Sequence, residues 1–126
     1  MKHLVSAGLL VAAAIHLLPL SGVLGGERLA LLYGIPVEGA DLQILLRHRA
    51  VLFGLLGGLL LVAAFRRSLQ VLALVAGLVS ALSFLVLAWS VGGYNAEIAR
   101  VFRADVIAVI ALAVSAAACA HGRRRG

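Results

Sequence analysis

LQVLALVAGLVSALSFLVLAWSV, residues 69–91, carries no charged side chain, and its reading decides the fold. A bilayer's hydrocarbon core is about 30 Å thick, and a helix needs about 20 apolar residues to cross it. In lipid the backbone must satisfy its own hydrogen bonds, so a single run of this length is read as a spanning helix. The turn Arg66-Arg67-Ser68 precedes it and Gly92-Gly93-Tyr94-Asn95 follows it. Beyond those turns lie further apolar runs. Ala50 to Phe65 is apolar or glycine throughout, and the segment from Ala96 turns apolar after Asp105 and stays so to Ala120.

Composition agrees. The 126 residues are 63% hydrophobic and 13% charged, about half the charge that a water-facing domain carries. The length allows one small domain. The expected architecture is all-α, a four-helix transmembrane bundle running up-down-up-down, with spans over residues 4–21, 42–65, 69–91 and 98–120. The run Leu4–Leu20 behind Lys2 and His3 also has the outline of a signal peptide. No suitable small-residue cleavage site follows it, so a retained first helix is expected. Residues 22–41 form the long loop, broken by Gly22, Gly25, Gly26, Gly34 and Pro36. Within it Glu27–Tyr33 reads as a short amphipathic turn at the interface, and Asp41 as the N-cap of the second span.

Four spans with short connections alternate in direction. Of the 11 basic residues, Lys2, Arg66, Arg67, Arg123, Arg124 and Arg125 fall on one side, with no acidic residue beside them. Arg28, Arg47, Arg49, Arg100 and Arg103 fall on the other, together with all 5 acidic residues: Glu27, Glu38, Asp41, Glu97 and Asp105. The positive-inside rule then puts both termini in the cytoplasm, and Trp89 and Tyr94 in the aromatic belt opposite. The net charge of +6 flanks apolar runs and forms no broad basic face, so nucleic acid is not an expected partner. Cys119 stands alone and the four histidines are scattered, which leaves no disulfide, redox pair or metal signature.

Small residues show which faces meet, because they let helix backbones approach closely in lipid. The expected stripes are Gly8-Ala12-His16, Ala50-Gly54-Gly58, Ala73-Ala76-Gly77-Ser80-Ser83 and Ala104-Ala108-Ala111-Ser115. His16 then faces the bundle, and Arg47 shares the face of Gly54. Ionisable groups at one depth on three helices form a candidate polar cluster: His16, Arg47, His48, Arg49, Arg103 and Asp105. Such groups are costly in a membrane and are usually paired or functional. Asp105 has no basic residue at i±3 or i±4 of its own helix, so Arg47 or Arg49 is its expected partner. Glu97, with Arg100 at i+3, and Glu27 read as decoration reaching for the headgroups.

The run Leu32-Tyr33-Gly34, followed by Arg47-His48-Arg49-Ala50-Val51-Leu52-Phe53-Gly54-Leu55-Leu56-Gly57, resembles the small four-helix bacterial membrane proteins of the DoxX-like group. In that group an Arg-Ala pair opens a Gly-rich second helix, as Arg49-Ala50 does here. The resemblance implies a multi-pass protein of the bacterial inner membrane. Some members are linked to quinone-dependent sulfur oxidation or thiol stress as subunits beside other proteins, although this chain has no Cys pair. Similar sequences carry the label phosphopantetheine adenylyltransferase. That enzyme resembles a soluble nucleotide-binding α/β domain with a His-x-Gly-His site, whereas His16 is followed by Leu17, Leu18 and Pro19.

The leading expectation is a non-enzymatic membrane protein whose polar cluster binds a lipid or quinone-like amphiphile, or a partner membrane protein. No other cofactor is expected. One alternative is a small dimeric transporter or channel, with the glycine stripes serving a homodimer. A further alternative is a membrane-embedded enzyme, with His16 or His48 as base and Asp105 orienting it.

Overall fold

The structure, a computed structural model, describes residues 1–126. Helix α1 (Lys2–Leu17) runs on into a 3-10 segment (Leu18–Leu24), followed by a short α2 (Gly26–Tyr33). Three long helices complete the chain: α3 (Ala40–Phe65), α4 (Arg67–Val91) and α5 (Ala96–Arg124). It is an all-α four-helix bundle. α1 with its 3-10 extension, α3, α4 and α5 are each long and apolar enough to cross a membrane.

The outward surface of the bundle is apolar. Leu72, Val75, Val79, Val86 and Leu87 of α4, and Ile107, Ile110 and Val114 of α5, are all exposed. A monomer in water does not present so continuous an apolar surface, whereas acyl chains solvate it. This is a multi-pass membrane architecture. Trp89 is 81% exposed, and Tyr94 stacks on Phe102 with ring centroids 5.9 Å apart. Both sit at the end of the bundle that holds the α4–α5 turn, where amphipathic rings suit a headgroup layer.

Neighbouring helices are antiparallel and follow one another around the bundle as α1, α3, α4, α5, closing back on α1. Both chain termini and the α3–α4 turn therefore lie at one end, here called the terminal end, where Met1, Phe65, Arg67 and Arg123 line a common cleft. The 3-10 segment, α2 and the α4–α5 turn make up the opposite, loop end.

Close helix contact rests on small residues. A Cβ placed on Gly8 would overlap the Ser115 hydroxyl and lie 2.8 Å from the Ala111 carbonyl oxygen, so α1 and α5 touch almost backbone to backbone. Ser115 turns its hydroxyl back to donate to that same carbonyl at 2.8 Å, which satisfies it inside the apolar core. One turn from the terminal end, Ser6 Oγ donates to the Ala64 carbonyl oxygen at 2.7 Å and joins α1 to α3. Between these contacts Leu9, Leu60 and Leu112 are fully buried.

Two expected stripes shift. On α3, Gly54 meets Leu20 and Gly57 meets Leu17, while nothing lies within 4 Å of a Cβ on Gly58. Steps of four residues turn a helix by 400° and drift off the face, whereas alternating steps of three and four hold it. On α4 the buried small residues are Ala73, Gly77 and Ala81, and Ser83 is exposed, its hydroxyl donating to the Ser80 carbonyl at 2.9 Å. Boundaries shift too. Gly39, not Asp41, is the N-cap of α3, and Asp41 lies in the first turn, where its charge faces the positive end of the helix dipole. The first span is longer than expected. Pro19 lacks the N–H that would continue α1, and the chain tightens into a 3-10 helix that carries it on to Leu24.

Gly8→Ala is expected to force α1 and α5 apart and cost about 1–3 kcal/mol, as overpacking of a tight contact does. Gly58→Ala, which meets nothing, is expected to hold or slightly raise stability. Melting curves of the two variants in one detergent check the pair.

Candidate functional site

At the loop end the diagonal gap between α3 and α5 is filled by α2. Its Leu29 and Tyr33, with Val37 after it, are buried against Leu42 and Leu46 of α3 and Ile98 and Val101 of α5. The helix stops at Gly34, whose backbone is left-handed at φ 65° and whose N–H returns to the Ala30 carbonyl at 2.8 Å. A side chain there would also run into Glu97 and Asn95, so Gly34 is required by both conformation and space. Asn95 fixes the junction. Its Oδ1 accepts from the Ile98 N–H at 2.8 Å and caps α5, while its Nδ2 donates to the carbonyl oxygens of Tyr33 at 2.8 Å and Gly34 at 3.2 Å.

This arrangement leaves a partly open cavity of about 300 Å³. Ile15, Leu18, Leu31, Leu32, Phe53, Val101 and Ala104 give it apolar walls, and Tyr33, Arg49 and Asp105 give it polar ones. Arg28, Glu97 and Arg100 also line it. Arg28 is exposed and donates from Nε to Ser21 Oγ at 3.1 Å.

Arg49 is held mainly by aromatic rings. Its guanidinium carbon lies 4.8 Å from the ring centre of Phe53 and 5.7 Å from those of Tyr33 and Phe84. The rings come from α2, α3 and α4, and each offers the negative face of its quadrupole to the cation. Asp105 comes from α5 and is only 6% exposed. Arg49 is the cation whose charge reaches it, yet the two do not come within the 4.0 Å of a direct ion pair. The Asp105 oxygens have no hydrogen-bond partner in the protein and are not sealed off, since His16 Nε2 is the one buried side-chain polar atom left without a partner. The carboxylate is thus open to the cavity it lines.

His16 is 1% exposed. Its Nδ1 lies 2.8 Å from the Ala12 carbonyl oxygen, and a carbonyl only accepts, so Nδ1 carries a proton. In the neutral ring Nε2 then presents an unpaired lone pair. The ring packs against Phe53 with centroids 5.9 Å apart, so Phe53 is shared between His16 and Arg49.

Of the six residues expected to cluster, the structure brings together His16, Arg49 and Asp105. Arg47 is turned elsewhere: its Nε donates to the Val23 carbonyl oxygen at 2.9 Å and closes the end of the 3-10 segment. It shares the face of Gly54 as expected, but that face looks at the 3-10 segment and not at Asp105. His48 and Arg103 are exposed and line no part of the cavity. Glu97 and Arg100, read from sequence as headgroup decoration, do line it. One signal for them was present: Glu97, Arg100, Val101, Ala104 and Asp105 are spaced i, i+3, i+4, i+7, i+8, a single helix face. Tyr33 and Phe84 carried no such signal, because only tertiary packing places them around Arg49.

No known family model, curated protein or solved structure matches this chain. The fold and the site together define a four-span membrane protein with an amphipathic, partly open cavity at one end.

Asn95→Ala removes a helix cap and the two hydrogen bonds that anchor α2. It is expected to cost about 1–2 kcal/mol and to speed amide exchange in Gly26–Tyr33 more than in α4. Hydrogen exchange in detergent micelles checks it; equal protection of α2 in both proteins would contradict the anchoring role.

Proposed function

We propose that this protein is a DoxX-like binding protein of the bacterial inner membrane, whose loop-end cavity holds the head group of a quinone or lipid-like amphiphile. The observation that carries the reading is an unpaired set of polar groups on a ligand-sized cavity. Arg49 and Asp105 both line it, neither is in a direct ion pair, and the carboxylate lacks any partner. Ligand pockets begin at about 300 Å³ and are mainly apolar with a few placed polar groups. Arg49 offers N–H donors to a carbonyl or anionic oxygen, and Asp105 accepts from a hydroxyl. Arg28 and Arg100 add positive charge to the cavity wall. The basic residues gathered at the terminal end support a cytoplasmic position for both termini, and with it a cavity in the outer leaflet.

A partner membrane subunit is the second occupant of the same surface. A path through the monomer is not favoured, since Leu9, Leu60 and Leu112 close the bundle below the cavity without exposed surface.

Native mass spectrometry of gently extracted protein tests the reading. The wild type is expected to carry a bound amphiphile. Ala104→Phe, which fills the cavity, is expected to lose it. Arg49→Gln is expected to lower retention about tenfold, the loss of one charged hydrogen bond of about 1.5 kcal/mol. A wild type with no bound molecule, or an Ala104→Phe variant that retains as much, rejects the proposal. Capture of a protein subunit in place of the amphiphile supports the second occupant.

A further inference from the structure

At the opposite end of the molecule lies a second cleft, of about 370 Å³, enclosed by α1, the α3–α4 turn and α5. We propose that it binds the phosphodiester head of an anionic phospholipid. Lys2 of α1, Arg67 at the start of α4 and Arg123 in the last turn of α5 all line it. Three cations from three helices converge there, and no acidic side chain is among the lining residues. All 5 acidic residues of the chain lie elsewhere, at Glu27, Glu38 and Asp41 around the long loop and at Glu97 and Asp105 in the first turns of α5. None of the three cations is in an ion pair within the protein, so their counter-charge must come from outside.

The remainder of the cleft fits the rest of a lipid. Gln70 supplies an amide, and Val5 and Phe65 supply apolar wall. Phe65 is largely exposed and so is free to meet an acyl chain. Helices α1 and α4 start here while α3 and α5 end here, so the helix dipoles offset one another and the three side-chain cations carry the positive potential. Inorganic phosphate shares the charge chemistry but has nothing to place on the apolar wall. A phosphodiester carrying acyl chains uses both halves of the cleft, and basic pockets between spans are known to take such head groups. This site is separate from the loop-end cavity and does not depend on the reading given for it.

Protein in neutral detergent is titrated with phosphatidylglycerol, phosphatidylcholine or inorganic phosphate while its melting temperature is followed. Phosphatidylglycerol is expected to raise the melting temperature, and the other two to leave it in place. In K2Q/R67Q/R123Q the titration midpoint is expected to weaken on the order of a hundredfold, from the loss of three lipid-facing charges. The charge-matched R66Q/R124Q/R125Q alters basic residues that do not line the cleft, and is expected to keep the midpoint within a few-fold. Equal loss in both triple variants overturns the site in favour of diffuse surface attraction. An equal shift with phosphate alone overturns the lipid in favour of a soluble anion, and an equal shift with phosphatidylcholine overturns the need for charge. Should the first triple variant melt before lipid is added, the single R123Q reads the same contact. It lies in the exposed last turn of α5, where roughly fivefold weakening is expected and an unchanged midpoint rejects the proposal.

Discussion

The contact of α1 with α5 at Gly8 is the constraint on which the rest of the structure depends. Lipid tails are as apolar as leucine, so no hydrophobic drive pulls transmembrane helices together; close packing must do it. At Gly8 the absence of a side chain brings α1 against the Ser115 hydroxyl and the Ala111 carbonyl. With α1 fixed there, its other face meets α3, where Gly57 and Gly54 receive Leu17 and Leu20 and Ser6 bonds to Ala64. On the far side Gly77 lets α4 close on Leu112 and Leu60, to which a Cβ would come within 2.9 and 3.2 Å. The helices are thus in register through glycines, and the larger side chains fill what space is left.

That register determines where the bundle opens. At the loop end α2 lies between α3 and α5, and the chain itself fills that gap. Pro19 prevents α1 from continuing as an α-helix, the 3-10 segment carries the chain past Gly54, and Gly25 turns it into α2. The filling is incomplete. α2 presents Leu29 and Tyr33 inward, but eight residues cannot occupy the whole space between two spans, and the cavity beside Arg49 and Asp105 is what remains.

Much of this fold is legible in the sequence because the bilayer demands simple things. A charge-free run of the length of Leu69–Val91 has one sensible conformation in lipid, and turns such as Arg66-Arg67-Ser68 are unmistakable between such runs. Face-level detail is less legible. Gly57 and Gly58 are adjacent, and the step of three from Gly54 that keeps the face toward Leu17 selects the first. The candidate site was half visible. Periodicity puts His16 on an inward face, the lack of a basic residue at i±3 or i±4 of its own helix marks Asp105, and Arg49 is only one of its two candidate partners. Arg47 could not be separated from Arg49 as the neighbour of Asp105, because that depends on the 3-10 segment, whose Val23 carbonyl takes Arg47 first. The caging of Arg49 by Tyr33 and Phe84 joins residues far apart in the chain, and no local pattern encodes it.

The geometry of Arg49 and Asp105 bears on whether the polar layer is a clamp or a receptacle. A clamp gains most when its charges meet, because in a low-dielectric setting a buried pair is worth keeping only with close contact and satisfied hydrogen bonds. Arg49 carries the charge that acts on Asp105, yet no direct pair forms between them. Instead three rings hold the guanidinium, which keeps part of its stabilisation without consuming its N–H donors, since cation–π contacts use the ring faces and leave the edges free. Asp105 correspondingly keeps its oxygens open to the cavity. Donors and acceptor are held apart across a space walled by Ile15, Leu32 and Ala104, and that separation favours a polar head group arriving between them over a bond that merely ties α3 to α5.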